Sequence, residues 1–318
     1  MPELADVVVW SIPMRVRFRG ITVREGLLLR GEAGWGEWSP FLEYDSTEAL
    51  PWLRCALEAA AGDWPEPVRD RVPVNVTVPV VSPEDAHALV SRSGCRTAKV
   101  KVADPGARLA DDQARLEAVR DALGPQGRIR VDANGAWDID EAVSSIAVLD
   151  RAAGGLEYVE QPCAAVEDLV VVRRRTSVRI AADESIRRVE DPYRVRDLEA
   201  ADVAVLKVQP LGGVRACLRI AEEIGLPVVV SSALETSVGL AAGVALAAAL
   251  PELDLACGLA TSGMLADDLV DEPLVPVDGH LPVRVPAVSR TRLGRAAAAA
   301  DREAHWRARL LDVQDQSS

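Results

Sequence analysis

This sequence has no C-x-x-C pair, and its 318 residues include only three histidines. Its five cysteines, Cys55, Cys95, Cys163, Cys217 and Cys257, are odd in number and widely spaced. That argues against a disulfide framework and for reduced thiols in a cytoplasmic protein. Positive charge is scarce too. With 36 Lys and Arg against 49 Asp and Glu, the net charge is −13, so the clustered cations that a nucleic-acid partner requires are not expected. Long apolar runs are missing. The most apolar stretch, 238–250, is too short to span a bilayer, and its alanines suit a buried helix. No membrane partner is expected. The start, Met-Pro-Glu-Leu-Ala-Asp, has no basic region followed by an apolar one, so no signal peptide is expected. No helix shows an extra apolar face, which points to a monomer rather than a large oligomer.

Apolar residues make up 49% of the chain and charged ones 27%, enough for a large core. The length suits a barrel of roughly 250 residues plus an accessory layer. Residues 7–40 carry the β-type runs V-V-V-W and G-L-L-L-R. Ser46 reads as an N-cap opening a helix that ends near Gly62. Together, residues 1–70 form an α+β capping domain. From Val74, eight strands alternate with helices: Val74–Val80, Ala98–Val102, Ile129–Asp132, Tyr158–Glu160, Val178–Ala182, Val203–Val208, Val228–Ser231 and Asp254–Cys257. Ser82-Pro83-Glu84-Asp85 opens one helix, and Gly94, Gly124 and Gly225 fall where helices stop. Short loops between alternating elements imply parallel strands, hence an α/β fold with a (β/α)₈-type barrel over 71–261. The Pro-rich segment 262–318 is expected to return to the capping domain and to end in a helix from about Thr291 to Leu311.

Charged residues recur at the strand ends. Asp132, Glu160 and Asp183 close strands three, four and five. From 132 to 160 is 28 residues, from 160 to 183 is 23, and from 183 to Lys207 is 24. Each gap is one strand, one helix and two loops, so the charges gather at the C-terminal mouth of the barrel, where active sites lie. Taken singly, Asp132 suits an Asx turn, Glu160 a solvated charge and Asp183 a helix cap. Taken together, three carboxylates without His or Cys nearby suit Mg²⁺, with Mn²⁺ as a substitute, better than Zn²⁺. In A-K-V-K-V, alternation puts Lys99 and Lys101 on one face, directed into the barrel where the acids compensate them. Lys207 interrupts an otherwise apolar strand six, across the barrel from strand two. A cation and a lysine pair flanking a ligand suit proton removal beside a substrate carboxylate, because the cation stabilises the enediolate and lowers a neighbouring lysine's pKa.

K-V-K, V-D-A-N, V-E-Q-P, A-D-E-S and L-K-V-Q, in this order, resemble the enolase superfamily in its muconate-lactonizing subgroup, over nearly the whole chain. R-F-R-G-I-T-V-R-E and G-W-G-E-W-S-P-F-L-E-Y-D add a resemblance to the o-succinylbenzoate synthases of actinobacterial type. The resemblance implies dehydration of 2-succinyl-6-hydroxy-2,4-cyclohexadiene-1-carboxylate (SHCHC) to o-succinylbenzoate in menaquinone biosynthesis. It implies that Lys101 is the base and then the acid, that Lys99 tunes it, and that Lys207 stabilises the enolate from the other face. It implies that Asp132, Glu160 and Asp183 carry Mg²⁺, with Asn134, Gln161 and Glu184 behind them. Arg130 would support those ligands or a carboxylate, or else form an ion pair at the barrel bottom. Ser231, Ser232 and Thr236 are candidates for a substrate carboxylate, although Thr236 equally suits a helix cap. Arg19-Gly20 and Phe41-Leu42 would close the mouth as lids or pack the domain interface. Racemases and epimerases of the same subgroup keep the same lysines and acids. An N-succinylamino acid racemase or dipeptide epimerase therefore stays open, as does a non-catalytic anion-binding barrel.

Overall fold

The computed structural model describes residues 7–18, 20–188 and 191–316. The chain begins with an antiparallel sheet of β1 (Val7–Phe18), β2 (Ile21–Arg30) and β3 (Trp35–Trp38). Helix α1 (Ser46–Ala61) packs on it so closely that a Cβ at Gly36 would stand 1.8 Å from the Ala56 carbonyl oxygen. The cap of α1 is Asp45 rather than Ser46. Its carboxylate accepts from Glu48 N, and Glu48 accepts in turn from Asp45 N, which satisfies two otherwise unpaired amides.

β4 (Arg71–Pro73) leads into a seven-stranded parallel sheet whose spatial order follows the sequence. Its strands are β5 (Val76–Val78), β6 (Thr97–Lys101), β7 (Arg128–Asp132), β8 (Tyr158–Glu160), β9 (Ile180–Ala182), β10 (Val203–Leu206) and β11 (Val228–Val230). Helices α2 (Pro83–Ser93), α3 (Leu109–Leu123), α4 (Ile139–Ala153), α5 (Val166–Arg175), α6 (Asp191–Asp197), α7 (Val214–Ile224) and α8 (Ser237–Ala249) connect or follow them. The eighth staves are shorter than the expected Asp254–Cys257 strand. Cys257 and Gly258 alone bridge the two edges: Asn75 N donates to the Cys257 carbonyl at 3.0 Å and Gly258 N to the Val230 carbonyl at 2.8 Å. That closes the curl and leaves no long exposed edge there.

The expected first strand, Val74–Val80, is shorter, with Val76–Val78 as β5 and Val74 bridging Cys257. Arg71–Pro73, just before it, pairs with β12 (His280–Pro282) in the C-terminal return. The single C-terminal helix expected over 291–311 is two, α9 (Arg290–Arg295) and α10 (Ala300–Asp315). Tertiary pairing overrides the alanine-rich propensity between them. Ala297 bridges Trp10, Ser11 N donates to the Ala296 carbonyl and Ala298 N to the Val9 carbonyl, so 296–298 runs along the edge of β1. Trp306, Leu310 and Val313 of α10 then complete the capping-domain core with Trp38, Trp52 and Leu53. All five cysteines are buried and unpaired, and among the described residues no helix is long and apolar enough to cross a membrane.

Candidate active site

Register brings the acids to one level. Lys101 is the Cα partner of Asp132, and Asp132 of Glu160; Asp183 follows β9, the next strand. Around the mouth the order is cation, three anions, cation. Lys99 Nζ spans Asp132 Oδ2 at 3.0 Å and Glu160 Oε1 at 2.6 Å. Lys101 Nζ meets Asp132 Oδ2 at 2.6 Å and Asn134 Oδ1 at 2.8 Å. Lys207 Nζ is paired with Asp183 Oδ1. Arg187 binds Glu184 at 2.7 Å and lies 3.8 Å from Asp183. Among the described residues, four acids thus face four cations.

The electrostatics follow from burial. Desolvation opposes ionisation of Asp132, but Lys101 and Lys99 outweigh it and hold its carboxyl far below the usual range. Asp183 is depressed in the same way, burial being outweighed chiefly by Lys207. Glu160 goes the other way: burial, then repulsion from Asp132, push it up to about 8. Burial disfavours the Lys99 charge, yet Asp132 and Glu160 raise its pKa well above normal. Burial lowers that of Lys207, against the pull of Asp183.

The loops that carry these groups are strained. Ala103, Asn134, Gln161 and Leu234, each on a loop at the C-terminal mouth, have φ of 60°, 49°, 41° and 66°, a region side chains adopt at a cost of about 1–3 kcal/mol each. Gln161 explains its own: Oε1 accepts from Asp183 N and Ser185 N, and Nε2 donates to the Cys163 carbonyl, so it fixes the loop that carries Asp183. Asn134 joins Lys101 to Glu184.

A cleft opens on Lys99, Lys101, Asp132, Asp183 and Lys207. Ser231, Ser232, Phe41, Asn134 and Glu184 line it as well; Leu42 and Gly20 are exposed and do not. Arg19 lies outside the described residues. Phe41 also packs on Trp52 and Tyr44 of its own domain and clusters with Ala233 of the barrel, so lining the mouth and packing the interface are one role. Arg130 binds Glu157 at 2.5 Å and the Ala256 carbonyl at 2.6 Å, and stacks on Tyr158. Its partners lie toward the N-terminal end of the barrel, the ion-pair alternative. Thr77, Thr261, Ala233 and Leu234 also line the cleft and were not singled out from the sequence. Thr77 was findable: V-N-V-T-V alternates as A-K-V-K-V does, and Thr77 pairs with Lys99.

Thr236 is the cap of α8, and the N-terminus of that helix is already filled by the chain's own carboxylates. Glu37 of β3 accepts from Thr236 Oγ1 at 2.5 Å and Gly239 N at 3.0 Å, while Asp268 accepts from Ser237 Oγ at 2.7 Å. This helix end is therefore already satisfied by the chain itself, whereas Ser231 and Ser232 line the cleft. Burial pushes the Glu37 carboxyl up to about 7, with Thr236 and Ser39 pulling down, Glu235 pushing up and Arg24 pulling down. A carboxyl whose folded pKa is raised stabilises the fold fully below its unfolded value and loses that contribution as pH rises to about 7. Glu37→Gln is thus expected to remove a loss on the order of 3 kcal/mol between pH 4.5 and 7. Thermal unfolding of both proteins at pH 5 and pH 8 checks it: the variant's drop should be the smaller.

The donor set fits a hard divalent cation. It is oxygen-only, and among the described residues Glu160 Oε2 is buried without a hydrogen-bond partner. No three described acids are spaced around one point as they stand, because the ammonium groups lie between them.

Residues 82–287 match the family profile described as enolase C-terminal domain-like, and residues 9–60 the enolase N-terminal domain-like one. The chain is 66% identical over 301 residues to the o-succinylbenzoate synthase of Thermobifida fusca (strain YX), covering 95% of this chain and 93% of that one. It is 55% identical over 311 residues to that of Mycolicibacterium smegmatis, covering 96% and 95%. Among solved structures, muconate lactonizing enzyme from Pseudomonas fluorescens complexed with muconolactone superposes with a TM-score of 0.78 at 23% identity, covering 92% of this chain and 98% of that one. A dipeptide epimerase from Enterococcus faecalis V583, complexed with Mg and a dipeptide, gives 0.75 at 22%, covering 89% and 97%. The chain belongs to the enolase superfamily, in its o-succinylbenzoate synthase family.

Proposed function

We propose that this enzyme is a lyase that dehydrates SHCHC to o-succinylbenzoate in menaquinone biosynthesis. The carrying observation is the charge balance of the cleft. Counted with every group ionised, as Glu160 would be with a metal bound, four described acids balance four described cations. A divalent cation adds two positive charges, and SHCHC, with a ring carboxylate and a succinyl carboxylate, supplies two negative ones.

Asp132, Glu160 and Asp183 would hold Mg²⁺, with Mn²⁺ as a substitute. When bound, Mg²⁺ would neutralise charge developing on the ring carboxylate. Lys101, which lines the cleft, removes the proton from the ring carbon bearing that carboxylate. The same amine then gives its proton to the departing hydroxyl on the same face, so water leaves and the ring becomes aromatic. Lys207 places a cation on the opposite face, against the ring. Lys99, held by Asp132 and Glu160, remains an ammonium beside Lys101. Asn134 orients Lys101, Gln161 fixes the Asp183 loop, and the Ser231–Ser232 hydroxyls receive the second carboxylate.

One observation favours a second reading. Burial lowers the pKa of Lys207, which suits a second proton-transferring lysine and therefore racemisation of an N-succinylamino acid. Following SHCHC absorbance beside polarimetry on N-succinylamino acids decides between them. The proposal expects SHCHC to carry the larger kcat/KM; a preference for the amino acid by tenfold or more would reverse it.

A further inference from the structure

Arg24 of β2 does not line the cleft but holds residues that do, and the chemistry above does not use it. Its side chain is buried, and its guanidinium donates to the Leu234 carbonyl at 3.0 Å, the Ala233 carbonyl at 3.3 Å and the Ser39 carbonyl at 2.7 Å. It also lies 4.6 Å above the Phe41 ring. Ala233, Leu234 and Phe41 all line the cleft, two from the barrel loop after β11 and one from the capping domain. Leu234 has φ of 66°, a conformation that a leucine keeps only where its surroundings enforce it. Arg24 is one such constraint, because its bonds require both carbonyl oxygens to face it.

We propose that Arg24 is a positioning residue for substrate binding, holding the Ala233–Leu234 carbonyls away from an anionic ligand and Phe41 against the opposite wall. Released from Arg24, the turn relaxes toward negative φ and the peptide planes rotate. Carbonyl oxygens then enter a cleft meant for carboxylates, where they repel substrate and transition state alike. Such a loss of uniform binding raises KM more than it lowers kcat. The inference rests on the proposed SHCHC activity for its kinetic readout and on the turn alone for its structural one.

The test pairs Arg24→Ala with Arg24→Lys, using steady-state kinetics on SHCHC and hydrogen exchange of the peptide spanning 231–240. For Arg24→Ala, KM should rise about tenfold or more with kcat within about threefold, and exchange in the peptide should speed up. Arg24→Lys, which keeps a buried cation with donors, should recover part of both. An unchanged KM in either folded variant, or a loss confined to kcat, overturns the proposal. If Arg24→Ala does not fold, Arg24→Lys decides: wild-type KM and exchange there also overturn it. Wild-type enzyme that leaves SHCHC untouched sinks the activity instead, and the exchange readout still judges the turn.

Discussion

Lys101→Ala is expected to lower kcat on SHCHC by about 10³- to 10⁴-fold, with KM moving little, because in the proposed mechanism one amine serves first as base and then as acid. Lys101→Arg should be as inactive, since a guanidinium does not give up its proton in a protein. Lys207→Arg keeps a cation on the far side of the ring and should lose only about 10- to 100-fold. The fold is expected to tolerate these changes, because Asp132 also pairs with Lys99 at 3.0 Å and so keeps a cation when Lys101 is replaced. Steady-state assays of the four proteins give the answer. Lys207→Arg as inactive as Lys101→Arg would mean that both lysines move protons.

The second large effect concerns Glu160. Glu160→Gln keeps the shape and one acceptor for Lys99 but removes the anionic oxygen that is buried without a described partner. Mg²⁺ affinity should fall at least about a hundredfold, since even groups that only support a metal ligand cost 10- to 100-fold when replaced. Turnover should fall with it. Metal-free stability should behave differently. Burial, then Asp132, push Glu160 up to about 8, so its stabilising contribution, complete at low pH, has largely gone by the time the pH reaches that value. A neutral amide does not carry that loss. Metal-free Glu160→Gln should therefore unfold at the same temperature as wild type or higher at pH 8, measured by calorimetry in EDTA.

The strand-end charges were legible because the βα period forces them to one level. Alternation in A-K-V-K-V determined which way the lysines face, and the register of Lys101, Asp132 and Glu160 agrees. Helix stops were legible where a glycine takes a left-handed φ, as at Gly94 (66°). What was not legible lies between distant segments. The break of the C-terminal helix at 296–298 depends on the edge of β1, nearly 290 residues upstream, and no local pattern in the alanines announces it. The filling of the α8 N-terminus is similar. Thr236-Ser237 reads as a cap or an anion site equally well until Glu37 and Asp268 arrive from outside the barrel. Arg130 was ambiguous for a related reason: alternation gives its face, but not whether its guanidinium reaches up to the acids or down to Glu157.

The proposed chemistry requires one cation shared by Asp132, Glu160 and Asp183. Titrating Mg²⁺ into EDTA-stripped wild-type enzyme, with heat and SHCHC turnover recorded on the same samples, tests it most directly. The expected result is one equivalent bound and activity rising in step with occupancy, with Glu160→Gln silent in both over the same range. Full turnover in the stripped enzyme, or binding that Glu160→Gln leaves intact, would contradict it.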